Sequence, residues 1–102
     1  MTENSKIVVK VDSDLEDLIP LYIGTKRKDI TVMRDCLERG DYEKIRLLGH
    51  SMKGSGGGYG FDEISGIGRF LEEAAKEKED EVITAQVNKL EAYIENLEVI
   101  YE

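Results

Sequence analysis

Apolar residues recur at three- and four-residue steps along most of this chain, the spacing of helices that bury one face. Leu21, Ile30, Met33 and Leu37 form one such stripe, and Gly40 supplies a stop after Arg39. Pro20 is the only proline. It fits a first turn but not a helix interior. Either a short turn over residues 14–19, capped by Asp14, precedes the main helix, or one helix is kinked there. Asp41 caps a second helix, with Ile45, Leu48, Met52 and Tyr59 inside and Gly49 and Gly56 in phase between them. Residues 54–60 hold five glycines in seven positions, each about 1 kcal/mol less favourable than alanine in a helix. Because Tyr59 continues the stripe, the helix is expected to persist to about Tyr59. Asp62 caps a third helix whose inner face is Ile64, Ile67, Phe70, Leu71 and Ala74, with Gly66 and Gly68 letting a neighbour come close. A fourth runs from Asp80 through Ile83, Val87, Leu90, Tyr93, Ile94 and Leu97 to Tyr101. The β-branched run Ile7-Val8-Val9-Lys10-Val11 precedes them. One strand makes no sheet, so it is expected as an arm on the helical body or a disordered end. The expected fold class is all-α: an antiparallel up-down four-helix bundle over residues 14–102, with a short N-terminal arm over residues 1–13.

Length and charge narrow the function. The 102 residues fit one core. Apolar residues at 40 % and charged ones at 35 % describe a globular chain. A net charge of −8 disfavours nucleic acid and anionic membrane surfaces, which select clustered Lys and Arg. No apolar run has the length of a membrane span. Met1-Thr2-Glu3-Asn4-Ser5-Lys6 has no signal-peptide pattern. The single cysteine, Cys36, lies in an apolar stripe and reads as a small buried hydrophobe in a reducing compartment. A cytoplasmic protein is expected.

The candidate chemistry sits on the second helix. His50 is the only histidine, with Lys53 three residues and Gly54 four residues further on. Those spacings place all three on one helical face. The phase turns that face away from Ile45, Gly49 and Met52, towards water, with Arg46 and Gly57 around it. A neutral imidazole is a good nucleophile near neutral pH. Phosphoryl transfer asks for in-line positioning and neutralised charge. Lys53, with Arg46 in support, offsets charge on phosphoryl oxygens. Gly54 is costly in a helix and leaves room for a partner. Ser55 either hydrogen-bonds locally or packs. Leu47 points to the same exposed side, with Tyr22 and Ile23 nearby on the first helix, which makes a candidate docking patch together with Gly57.

The run His50-Ser51-Met52-Lys53-Gly54-Ser55-Gly56-Gly57-Gly58-Tyr59-Gly60 resembles the signature of the histidine-containing phosphotransfer (HPt) family of two-component phosphorelays. Leu18-Ile19-Pro20-Leu21-Tyr22 looks like the start of that family's first long helix, and Gly40-Asp41-Tyr42 like its loop before the histidine helix. The resemblance covers roughly residues 14–100. Gly56 and Gly58 depart from it, standing where small polar residues are usual. The resemblance implies that His50 accepts a phosphoryl group through its outer nitrogen from an aspartyl phosphate on a response-regulator receiver domain, and passes it to another receiver. A hybrid sensor kinase is a further implied partner. It implies no cofactor or metal of the chain's own, with Mg²⁺ supplied by the receiver, and no autonomous kinase activity.

Other readings fit the residues less well. A sensor-kinase dimerisation helix follows its histidine with an acidic residue and soon a proline, unlike Ser51 and the proline-free stretch beyond. A P-loop needs its glycines before the lysine, and Lys53 precedes them. The dinucleotide glycine spacing fails at Tyr59 and at Phe61. A calcium loop at Asp12-Ser13-Asp14 lacks the glycine and glutamate it needs. One His and one Cys make no zinc site. The remaining alternative is a non-catalytic adaptor bundle that binds a receiver, which would tolerate His50→Gln. No long heptad seam stands out, so a monomer is expected.

Overall fold

A computed structural model describes residues 6–102. The first five residues of the expected arm, and most of the segment read for a signal peptide, lie outside the described residues. In chain order come β1 (Ile7–Val11), a 3-10 turn (Ser13–Leu15), α1 (Ile19–Arg39) and α2 (Tyr42–Ser55). A second 3-10 turn (Gly57–Tyr59), α3 (Asp62–Lys76), α4 (Asp80–Glu95) and β2 (Leu97–Tyr101) complete it.

Local chemistry sets the helix ends. Pro20 sits in the first turn of α1, after a separate 3-10 turn, so the helix is unbroken. Gly40 ends α1 in the left-handed conformation at φ 72°, its N–H bonded back to Cys36 and Leu37. Asp41 then caps α2 by accepting from the Lys44 N–H at 3.1 Å. α2 stops at Ser55 and does not persist to Tyr59. The Phe61 N–H reaches back to the Gly56 carbonyl at 2.8 Å, and Gly60 turns left-handed at φ 95°. Tyr59 nevertheless keeps its inward packing by stacking on Tyr22, with ring centroids 4.3 Å apart.

α1 packs against α2 and α4, and α3 against the same two. Met33, Cys36, Ile45, Met52, Ile64, Leu71, Ile83 and Leu90 meet fully buried between them, with Phe61 from the turn. α2 and α3 approach most closely, through Gly49 and Gly68. A Cβ on Gly68 would lie 2.5 Å from the Lys53 nitrogen and 2.6 Å from the Gly49 oxygen. A Cβ on Gly49 would lie 2.7 Å from the Glu72 nitrogen. Gly66 makes no such contact. Phe70 is 44 % exposed, against the expectation of an inner position. The buried face of α3 runs through Ile67, Gly68, Leu71 and Ala75, which leaves Phe70 outside under the Arg69 guanidinium.

The all-α expectation needs correcting at both ends. α4 ends at Glu95, and Leu97–Tyr101 is a strand paired in parallel with Ile7–Val11, Val9 opposite Val99. Leu97 and Tyr101 fit helical spacing after Ile94, but with Val99 between them they also alternate with Glu98 and Ile100. Period two wins because Ile7, Val9 and Val11 offer a matching strand. These alternate residues of both strands pack on the helical core.

Candidate functional site

His50 projects from the middle of α2 into solvent, its side chain 63 % exposed. Its Nδ1 lies 3.0 Å from Oε2 of Glu72 on α3. The other carboxylate oxygen, Oε1, is 2.8 Å from the Lys53 Nζ. One carboxylate thus holds both the imidazole and the ammonium that the i, i+3 spacing brought together. Glu72 itself is buried, with only 8 % of its side chain exposed. It reaches α2 because Gly49 and Gly68 remove the side chains that would hold the helices apart.

The hydrogen bond from Lys53 is the main influence holding the Glu72 carboxyl below the usual carboxylate range. Burial opposes it, and the bond to His50 adds to it. An ionised carboxylate only accepts hydrogen bonds, so Nδ1 carries the ring proton. In the neutral form of the ring this leaves the lone pair on Nε2.

The remaining expected residues fall into two groups. A Cβ at Gly54 would meet nothing within 4 Å, so the space beside His50 is open. Leu47 is half exposed, and Gly57 is exposed with its N–H bonded to the Ser65 hydroxyl at 2.8 Å. Arg46 grips Glu43 at 3.0 and 2.6 Å and makes no hydrogen bond to the imidazole, although its charge lies within range of Glu72. The Ser55 hydroxyl pairs with the Tyr22 phenol at 2.8 Å, tying α2 to α1. Tyr22 is buried and Ile23 half-buried, so neither forms an open apolar surface. Burial pushes the Tyr22 phenol up, against the lowering effect of Ser55.

The exposed apolar residues at the start of α1 are Leu18 and Leu21 instead, the latter at 70 % although its spacing placed it in the apolar stripe. They line a shallow cleft of about 390 Å³ with Tyr22, Ser51, Ser55 and Tyr59. Leu47 lies one turn before Ser51. The cleft therefore opens beside the histidine face.

Glu72 is the candidate site residue that the sequence reading did not single out. Its signal is faint: a carboxylate four residues after Gly68, on the face where that glycine admits another helix. Among the described residues no cluster of His, Cys, Asp and Glu gathers as metal ligands, and no helix is long and apolar enough to cross a membrane.

No curated protein and no solved structure matches the chain. A family model, the Hpt domain, matches residues 17–99, from just ahead of α1 into β2. That span takes in the whole four-helix body and its exposed, carboxylate-held histidine, and the chain belongs to the Hpt domain family.

Proposed function

We propose that this protein is a phosphorelay intermediate, an antiparallel up-down bundle working in the cytoplasm. It takes a phosphoryl group onto His50 from a receiver-domain aspartyl phosphate and passes it to a second receiver. A receiver carried by a hybrid sensor kinase is one such donor. The observation that carries this reading is the shared Glu72 carboxylate. It pins Nδ1–H and leaves the Nε2 lone pair facing open solvent beside Lys53.

The transfer balances as follows. The Nε2 lone pair attacks phosphorus in line. The bond from phosphorus to the aspartyl oxygen breaks, and the carboxylate leaves with the electron pair. The ring, still protonated at Nδ1, becomes cationic as Nε2 is phosphorylated, and Glu72 already faces that charge. Lys53 is near enough to turn from Glu72 to the phosphoryl oxygens. Both oxygens of Glu72 are engaged by His50 and Lys53, so it is poorly placed to ligate a metal. Mg²⁺ belongs to the receiver in this reading. The return reaction reverses each step, and the second receiver's aspartate takes the phosphoryl group.

The open space at Gly54 is where a receiver's active-site loops would enter. Leu47 with Leu18, Leu21 and their cleft forms the surface proposed to dock it, with Gly57 at its edge. The test is incubation with Mg²⁺ and a panel of phosphorylated receivers. Acid-labile, base-stable label on the wild-type chain, lost in His50→Gln, supports the reading. No label from any receiver, with the bundle shown to be folded, refutes it and leaves the adaptor.

A further inference from the structure

The two-stranded sheet has an edge that the rest of the fold does not use. In a parallel pair, alternate residues of each strand turn their backbone groups towards the neighbour. The flanking bonds set the phase. Ile7 N–H donates to the Asn96 carbonyl at 2.7 Å, Glu102 N–H to Val11 at 3.0 Å, and Ser13 N–H to Glu102 at 2.9 Å. Ile7, Val9 and Val11 therefore face β2, and Glu98 and Ile100 face β1. The N–H and C=O groups of Leu97, Val99 and Tyr101 point to the far side of β2. Among the described residues no backbone bond outside the ladder engages them.

The equivalent side of β1 is obstructed and guarded. A Cβ at Gly60 would sit 3.8 Å from the Lys10 carbonyl oxygen and 3.4 Å from the Val11 side chain, so the turn before α3 lies against it. Lys10 adds a charge of the kind that discourages strand pairing. β2, Leu97-Glu98-Val99-Ile100-Tyr101, has no lysine, proline or glycine.

We propose that this edge of β2 pairs with the same edge of a second copy of the chain, antiparallel about a two-fold axis at Val99. That register uses each unpartnered group. Val99 meets the partner's Val99, and Leu97 meets the partner's Tyr101, each as a hydrogen-bonded pair. The one charged residue of the strand, Glu98, lies opposite the partner's Ile100, so no like charges face one another. The result is a four-stranded sheet across a closed, isologous dimer. A single strand pair buries less than a stable interface needs, so the dimer is weak and concentration-dependent. Two chains of charge −8 repel, so added salt strengthens it. The monomer expectation rested on the missing heptad seam, and this edge was hidden while Leu97–Tyr101 read as helix.

Sedimentation velocity across micromolar to millimolar concentrations, at low and high salt, tests the proposal. The expected result is a monomer–dimer equilibrium that shifts to dimer with salt. Val99→Pro removes an N–H that the β1–β2 ladder does not use, so circular dichroism should be unchanged. The dissociation constant should rise at least about tenfold. As a second variant, Glu98→Cys with Ile100→Cys should oxidise to a covalent dimer, because a non-hydrogen-bonded antiparallel pair has disulfide-compatible spacing. A chain that stays monomeric throughout overturns the proposal. So does a dimer that survives Val99→Pro, because its interface lies elsewhere.

Discussion

Alanine at Gly54, Gly66 and Gly68 should have three different consequences, although each lies within a helix. Gly66 is in the interior of α3, and its added Cβ meets nothing within 4 Å. Only helix propensity changes, so Gly66→Ala should stabilise the fold by about 1 kcal/mol. That corresponds to a melting point about 4–8 °C higher for a domain of this size. Gly54 is also open, but it is the penultimate residue of α2, so the gain is smaller, about 0.5 kcal/mol. Its Cβ can meet only a docking receiver, so Gly54→Ala should melt higher and transfer phosphoryl more slowly. Gly68 behaves oppositely. Its Cβ would be 2.5–2.7 Å from the Lys53 nitrogen, the Gly49 oxygen and the Met52 Cβ. Restoring contact distance requires α2 and α3 to part by about 1 Å. Two of those atoms are backbone and cannot rotate away. Overpacking should outweigh the propensity gain and leave Gly68→Ala about 2 kcal/mol less stable. Its melting point should fall on the order of 10 °C. Calorimetry and phosphotransfer from one receiver, run on all three variants, give the comparison. A Gly68→Ala melting point within about 2 °C of wild type would refute the close-approach argument. A Gly54→Ala chain that transfers at the wild-type rate would refute the assignment of that space to the receiver.

Four further outcomes are expected. Glu72→Ala should slow transfer about tenfold or more, and nitrogen NMR should show the His50 ring losing its preference for Nδ1–H; an unchanged tautomer would remove Glu72 from the mechanism. The folded-state shift of Glu72 is downward, so its carboxylate contributes stability above the ordinary carboxylate pKa and loses it as pH falls through the lower folded value. Acid unfolding of Glu72→Gln should accordingly be less steep in that range than wild type. The Tyr93 phenol is pushed up to about 12, chiefly by burial and then by Glu63 and Asp62. A raised acid favours the folded state below the unfolded value near ~10 and loses that advantage as pH rises towards 12; Tyr93→Phe should flatten alkaline unfolding in that window, followed by circular dichroism. Leu47→Asp should weaken receiver binding about tenfold with an unchanged melting point, and unaltered affinity by titration calorimetry would dismiss the docking surface.

Much of this arrangement was legible from spacing alone. Asp41, Gly40 and Pro20 marked helix ends because capping and backbone conformation act within a few residues. His50, Lys53 and Gly54 were placed on one exposed face by helical geometry. The misreadings came where two periods fit the same residues or where a contact is not local. Leu97 and Tyr101 satisfy either a helix continued from Ile94 or a strand with Val99 between them, and the decision rests with β1, some ninety residues earlier in the chain. Leu21 fits the apolar stripe and Tyr22 the exposed side, yet stacking on Tyr59 and the bond to Ser55 bury Tyr22 and leave Leu21 outside. Arg46 has the right phase to support His50, but Glu43 is nearer in sequence and claims it.

Glu72 shows why a motif confined to one helix understates this site. The i, i+3 and i+4 positions of α2 bring a nucleophile, a cation and an opening together, but they do not choose between the two nitrogens of the imidazole. That choice comes from α3. It depends on a carboxylate held close enough to bond Nδ1, which depends on the missing side chains at Gly49 and Gly68. Lys53 serves twice. Its hydrogen bond favours the ionised Glu72 carboxylate, and in the proposed relay it is the cation that turns to an arriving phosphoryl group. Once Lys53 turns to the phosphoryl group, Glu72 retains the protonated imidazole as its partner, now carrying positive charge. In the proposed relay the buried carboxylate would therefore face a cation at each stage, and one small polar cluster would serve both loading and unloading.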